Sequence, residues 1–477
     1  SACSSFTGTT SDDNSESLWA GDVDPTPGLS EKVVRTIQWN VDILGKLVKE
    51  IAANRASNKD VKPLTEMPSP NGTTVLEEVS DIIPFVAPTD TAMSLRKSGT
   101  SLADVDLDQA VFDQLHDLIT AIALLHRSNN AFHNFERSSH VTMSVVKLVS
   151  RMDDNNDVTF RIHKDPMVQF ALTLSSLIHD IDHPGVPNQT LIREQPALAK
   201  HYQNRSVAEQ QSFDLATRLL MEERYSDLRQ ALYRTEQEAL RFRQVLVNAV
   251  MATDLIDPEL QAWRTNRWAK AFSEDSSTES IIDRKTTMII EAIMQVSDVA
   301  HTIQHWHIYR KWNNLLFAEA YQAYCAGRPG ATNPAHYWYD GEISFFDTTV
   351  IPLAQKLKDC GVFCSSSSDE FLKYALNNKK EWMAKGLALV AELAEKCSQE
   401  GTIPRPSPKK RIHISENKSS GQKQSCFVGV INNKSIVCTV LDFVVVFRAW
   451  VMSRLPAVLP TPTVPYQHTI PYTILLQ

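Results

Sequence analysis

An all-α chain is the expectation, and three observations carry it. Only 15 of the 477 residues are glycine, well under the usual ~7 %, which leans toward helix. Apolar residues make up 43 % and charged residues 22 %, enough for a sizeable core and unlike a wholly disordered or fibrous chain. From Asp108 onward, long segments with apolar residues three and four apart succeed one another, with almost no period-two alternation.

Residues 1–30 are rich in Ser, Thr, Asp and Gly, lack an apolar period, and are expected to form a disordered leader. Val33, Val34, Ile37, Val41, Leu44, Leu47, Val48 and Ile51 then take amphipathic-helix spacing. This helix reads as a connector or a coiled-coil stub, and with the loop behind it fills 31–74. Pro63, Pro68, Pro70 and Gly72 break the chain, and 94–108 is polar loop.

Helical segments are expected near 108–128, 207–223, 309–324, 347–360 and 369–398. Asp165 stands at an N-cap position and Pro166 at the first helical position; Met167, Phe170, Ala171, Leu174, Leu177 and Ile178 supply one stripe before Pro184-Gly185 stops it. Met288, Ile289, Ala292, Ile293, Val296 and Val299 repeat the pattern. The compact region is 75–400. Beyond it, Pro404, Pro406, Pro408, the basic Lys409-Lys410-Arg411 and a Val-rich run predict a disordered tail over 401–477.

The net charge of −8 from 48 basic and 56 acidic residues provides no positive reservoir for a phosphate backbone, which argues against nucleic acid as a main partner. Seven cysteines at 3, 325, 360, 364, 397, 426 and 438 form no CxxC pair or close framework, so a reducing, cytoplasmic setting is expected. Ile436 to Phe447 is the most apolar window and is too short for the ~20 residues of a span. No signal peptide is visible behind Ser1, and the chain reads as a piece of something longer, which keeps the cytoplasmic part of a membrane protein in view.

The chemistry concentrates in His179-Asp180-Ile181-Asp182-His183. Imidazole nitrogen with carboxylate oxygen suits a borderline divalent cation, and a carboxylate can bridge to a second, harder one. The plain alternative is a set of capping and turn groups at a helix end. Upstream stands Phe132-His133-Asn134-Phe135-Glu136-Arg137-Ser138-Ser139-His140; downstream, Ser297-Asp298-Val299-Ala300-His301 closes an apolar helix and offers a third-segment ligand, Asp298.

With these blocks, and with Asn204 to Leu220, Ala252-Thr253-Asp254, Tyr309 to Asn313 and Phe345-Phe346-Asp347 in order, the sequence resembles the catalytic domain of the class I 3′,5′-cyclic nucleotide phosphodiesterases, a branch of the HD-type metal phosphohydrolases. The resemblance implies a compact domain of about sixteen helices over 75–400, hydrolysing a cyclic nucleotide to its 5′-monophosphate with two divalent cations, zinc and magnesium or manganese. It gives His179, Asp180 and Asp298 as metal ligands, with Asp180 bridging. It gives His133 as the general acid, suited by a pKa near working pH, and His183, Glu209 and Thr253 as residues that orient metal waters and ligands. It gives Phe345 as the aromatic stacking on the base and Leu316 as the opposite wall, while Tyr309 and Trp312 read as core.

Two positions depart from the family pattern. Where the family has a metal-ligating His four residues after the acid, this chain has Arg137, a permanent cation with donors only. Three readings follow: an inactive binding or regulatory module in which Arg137 pairs the phosphate; a weaker site using an extra water or His140; or a decayed position. Where the family has a purine-reading Gln, this chain has Glu342. A carboxylate only accepts, which favours cyclic GMP over cyclic AMP, the alternative being that Glu342 faces solvent and a nearby loop reads the base. Another HD-type hydrolase is disfavoured because the stacking block would lack a purpose. As partners the resemblance allows an upstream sensor, cyclase or membrane part and a homodimer.

Overall fold

The computed structural model describes residues 29–54, 64–69, 74–85, 107–153, 157–273, 278–363 and 365–400. The expected leader over 1–30, apart from its last two residues, and the tail over 401–477 lie outside them. Among the described residues the only extended pairing is a single bridge between Met152 and Phe363, so the chain is all-α.

The helices run in order as α1 (Glu31–Ala53), α2 (Val75–Glu78), α3 (Gln109–Leu125), α4 (Phe135–Ser150), α5 (Asp157–His163), α6 (Pro166–Ile178), α7 (Asn188–Glu194), α8 (Pro196–His201), α9 (Val207–Leu220), α10 (Ser226–Leu232), α11 (Glu236–Met251), α12 (Pro258–Ser273), α13 (Glu279–Asp298), α14 (Trp306–Cys325), α15 (Trp338–Phe345), α16 (Ile351–Asp359) and α17 (Ser365–Glu400). Each segment expected from spacing is present, with ends shifted by a few residues. The exception lies at 346–350, where the helix widens into a π turn. Pro352 has no N–H for the Thr348 carbonyl, so an unbroken α ladder cannot pass that point.

At the centre is α6. Asp165 caps it by accepting from Met167 N and Val168 N at 3.0 and 3.2 Å, Pro166 fills the first turn, and every helical residue except Gln169 is buried. Helices α1, α4, α11 and α13 pack around it. The first of these is more than a connector, since Ile37, Val41, Leu44, Leu47, Val48 and Ile51 enter the same apolar core as α6. Transfer of such side chains from water is worth ~1.5–3 kcal/mol each, which fixes the helix that ends just before His179.

Candidate metal centre

Three chain segments converge at the C-terminal end of α6. The helix stops at Ile178, short of Pro184-Gly185, and four residues on Asp182 turns the chain with φ +55°, a conformation that Asp tolerates better than most residues. Asp182 is therefore structural: its carboxylate accepts from Arg127 Nε at 2.7 Å and Gln211 Nε2 at 2.9 Å. The turn aims His179, Asp180 and His183 together, and the last residue of α13, Asp298, meets them.

His179 is 2 % exposed. Its Nδ1 donates to the Ser176 carbonyl at 2.9 Å, so in the neutral ring the lone pair is on Nε2. That Nε2 makes no hydrogen bond yet lies 3.1 Å from Asp180 Oδ2 and 3.4 Å from Asp298 Oδ1. An orphaned imidazole nitrogen between two carboxylate oxygens is the donor set a divalent cation takes, so His179, Asp180 and Asp298 fit the expected group. Burial alone would lower the His179 pKa, but the two carboxylates outweigh it and raise it to about 10. Conversely, burial would raise the Asp180 and Asp298 carboxyls, and the neighbouring cations hold both down.

Arg137 enters from α4, whose first turn is capped by Asn134 accepting from Arg137 N at 3.1 Å. The guanidinium is 2 % exposed. Its Nη2 donates to Asp298 Oδ1 at 2.9 Å and to the Asp298 carbonyl, and its carbon lies 4.9 Å from the Phe132 ring centroid and 6.0 Å from that of Trp312. This corrects the reading in which Arg137 pairs a bound phosphate: the side chain is buried on Asp298. His140 likewise adds no ligand beside Asp298. Its ring lies 5.1 Å from Trp312 and its Nε2 is 3.5 Å from Gln304. Burial, then the Arg137 charge, lowers its pKa to about 4.

His133 precedes α4 and is held from two sides. The Glu319 carboxylate of α14 accepts from the backbone N–H of Phe132 and of His133 at 2.8 and 3.0 Å, and from His133 Nδ1. Asn130 donates through Nδ2 to both the His133 and His183 carbonyls, at 2.9 and 2.8 Å. Gly185, at φ +70°, leaves room for this, since a Cβ there would stand 3.1 Å from Asn130 Oδ1. Burial opposes protonation of His133, and Glu319 outweighs it and raises the pKa; burial of Glu319 is in turn outweighed by His133, leaving that carboxyl at about 2. The rings of His133 and His183 lie 3.8 Å apart, and His133, Asp180 and His183 offer ligand atoms within 4.8 Å of one another. His183 accepts from Gly185 N at 3.2 Å. Burial, then the His133 charge, pushes its pKa down to about 3.

The remaining expected residues divide. Glu209 of α9 accepts from Asn188 Nδ2 at 2.9 Å, and burial with the Asp254 and Asp180 charges raises its pKa to about 8. It therefore belongs to an acidic group beside Asp180. Thr253 donates to the Val250 carbonyl at 2.7 Å. Tyr309, fully buried, donates to Glu342 Oε2 at 2.6 Å, and Asn313 also bonds that carboxylate. Phe345 and Leu316 are partly buried against the core, each keeping an open side. Tyr309 and Trp312 are core, as expected.

Sequence reasoning missed Glu319 and Asn130. Glu319 had a signal, because it lies three residues after Leu316 and seven after Trp312, a carboxylate on the apolar stripe of its own helix. Asn130 had none.

The model of the 3′5′-cyclic nucleotide phosphodiesterase family matches residues 132–367. The chain is similar to the probable 3′,5′-cyclic-AMP phosphodiesterase pde-4 of Caenorhabditis elegans, 25 % identical over 196 residues, 41 % of this chain and 28 % of that protein. It is also similar to the cGMP-specific 3′,5′-cGMP phosphodiesterase 3 of Dictyostelium discoideum, 21 % identical over 277 residues, 57 % of this chain and 55 % of that one. It thus spans between a quarter and about half of the length of these relatives. Among solved structures, the phosphodiesterase domain of the RhoPDE fusion protein from the choanoflagellate Salpingoeca rosetta aligns with TM-score 0.48 and 19 % identity, covering 69 % of this chain and 98 % of that one.

Proposed function

We propose, from the premise that residues 132–367 are a class I 3′,5′-cyclic nucleotide phosphodiesterase domain, that this chain opens the cyclic phosphodiester of a 3′,5′-cyclic nucleotide with water to give the 5′-monophosphate. The observation that carries the reading is the His133–Glu319 pair set against Asp180 and His183. Divalent cations, one held by His179, Asp180 and Asp298 and a second shared by Asp180, would supply a water of lowered pKa and neutralise phosphoryl charge.

The protein groups do the rest. Glu319 keeps His133 protonated and fixes its ring through Nδ1, so that Nε2–H can give a proton to the departing 3′ oxygen. Asn130 holds the His133 and His183 loops at a common distance. Glu342, held by two donors of α14, keeps acceptor capacity for the N1–H and exocyclic amine of guanine, which supports a preference for cyclic GMP.

Incubating the protein with cyclic GMP or cyclic AMP and added zinc, magnesium or manganese, while following 5′-monophosphate, tests this. His133→Asn is expected to lower turnover by the 10²–10⁴-fold typical of a lost general acid, and Glu319→Gln to lower it less and to move the alkaline limb of the pH profile to lower pH, because His133 then loses its proton sooner. Equal turnover in His133→Asn and the parent would reject the assignment.

One observation favours a second reading, in which the domain binds nucleotide and turns it over poorly. Arg137 Nη2 already holds the Asp298 oxygen that faces His179, so a built-in cation competes with the metal for that ligand. Elemental analysis separates the two: retained metal with turnover supports the first reading, and absent metal with nucleotide binding intact supports the second.

A further inference from the structure

Away from the metal centre, three cations of two helices face one buried carboxylate. Glu291 of α13 stands seven residues before Asp298, roughly 10 Å back along the helix, and is 3 % exposed. Arg267 of α12 donates through Nη1 to Glu291 Oε1 at 3.1 Å and to the Val79 carbonyl at 3.0 Å, and its guanidinium carbon lies 3.9 Å from the Trp263 ring centroid. Its Nη2 is buried without a partner. Arg264, one turn earlier and 5 % exposed, donates through its two Nη atoms to the carbonyls of Asp254 and Met251 and leaves Nε buried without a partner. Lys356 of α16 is half-buried and forms no hydrogen bond or ion pair among the described residues. Its Nζ lies 5.4 Å from the Trp268 ring centroid.

Charge does not balance here. Arg267, Arg264 and Lys356 all act on Glu291, and Arg284 adds to the positive field at Arg267. The other acids that face Arg264 are Asp254, Asp257 and Glu209, and each is engaged elsewhere. Asp257 accepts from Arg205 with both oxygens, Asp254 from Ser206 and two backbone N–H groups, and Glu209 from Asn188. For Arg264, Arg267 and Lys356 alike, burial outweighs the acids and lowers the pKa. Each unmet buried N–H costs ~1–3 kcal/mol, a cost that an oxyanion with several lone pairs removes. We propose that this cluster is a binding site for a phosphate group, seated between Lys356 and Arg267, with its oxygens on Lys356 Nζ and Arg267 Nη2. One proton is shared between a phosphate oxygen and the second oxygen of Glu291, which accepts no hydrogen bond among the described residues. Three cations against one carboxylate leave two positive charges, which a phosphate of about −1.5 to −2 near pH 7 matches and a carboxylate or chloride does not. Arg267 also holds the end of α2 through Val79, and Arg264 the turn around Thr253, so an anion here ties α2, α12, α13 and α16 together.

Thermal melting of the full, chelator-treated chain with inorganic phosphate, at an ionic strength held constant with chloride, reads the binding. The expected result is a melting temperature that rises to a plateau. Its midpoint moves to at least about tenfold more phosphate in Lys356→Met, as one lost charged hydrogen bond implies, while the apolar stem stays on Trp268. It moves to less phosphate in Glu291→Gln, where one negative charge fewer faces the anion. His133→Asn leaves it unchanged, which keeps the metal centre's own affinity for phosphate apart. Helicity and melting temperature without phosphate separate lost binding from lost folding. A rise no larger than chloride alone gives overturns the inference, as does one that survives Lys356→Met or vanishes in His133→Asn. Glycerol 3-phosphate and vesicles of phosphatidylcholine with phosphatidic acid are then set against inorganic phosphate. Competition by the first assigns the site to a soluble ester, competition by the vesicles to a lipid headgroup, and competition by neither rejects a phosphate ester as its ligand.

Discussion

Arg137 has three guanidinium nitrogens and finds partners for one. Nε and Nη1 are buried without any, and each such group costs ~1–3 kcal/mol. Arg137→His removes both orphans and the competition for Asp298. The variant is expected to melt no lower than the parent in chelator and to gain more stability from added zinc than the parent does, since a ligand bound only by the folded state stabilises it by mass action. Thermal melts with and without zinc check this; a variant that melts lower in both conditions refutes it. A second residue yields a pH prediction. Burial lifts the Glu342 carboxyl from 4.5 to about 7, so its contribution to stability is complete below 4.5 and is lost as pH rises through 7. Glu342→Gln is expected to abolish that decline, seen as a flatter melting temperature between pH 5 and pH 8 than the parent shows. Much of the site was readable at this scale because His133, His179, Asp180 and Asp298 lie in dense local motifs. Glu319 is 186 residues from His133 in sequence, and no local pattern states which imidazole a distant carboxylate will meet.

Among the elements, α6 shows what periodicity conveys and where it stops. The Asp165 cap and Pro166 were legible, as was one apolar stripe, yet the helix is buried all round because α1, α4, α11 and α13 enclose it. The stripe reports the most apolar face; it does not report how many neighbours arrive. Leu177, fully buried in the turn before His179, tests the dependence of site on element. Leu177→Ala is expected to cost ~2–5 kcal/mol in urea unfolding and to weaken metal retention along with it; a loss under 1 kcal/mol would contradict the packing described. The π turn at 346–350 was invisible in the apolar spacing, although Pro352 marks the place where the ladder fails. It follows Phe345 directly, so the break sits beside the residue assigned to the base.

At the scale of the molecule, the join of α1 to the rest is what the sequence concealed. An amphipathic helix preceding a run of prolines looks the same whether its apolar face meets a missing neighbour or its own domain. Here it meets its own domain: Asn40 donates to Ser139 Oγ of α4 at 3.0 Å, Lys32 pairs with Glu136 at 2.6 Å, and the apolar face closes on α3 and α6. That closure sets a schedule for synthesis. The last residue of α6 leaves the ribosome 125 residues after the last residue of α1 (178 − 53), which at ~5–20 residues per second is roughly 6–25 s. Until α3 follows it the stripe from Ile37 to Ile51 has no surface to rest on, and until α6 follows it has only part of one, so the nascent chain carries an exposed apolar helix through that interval.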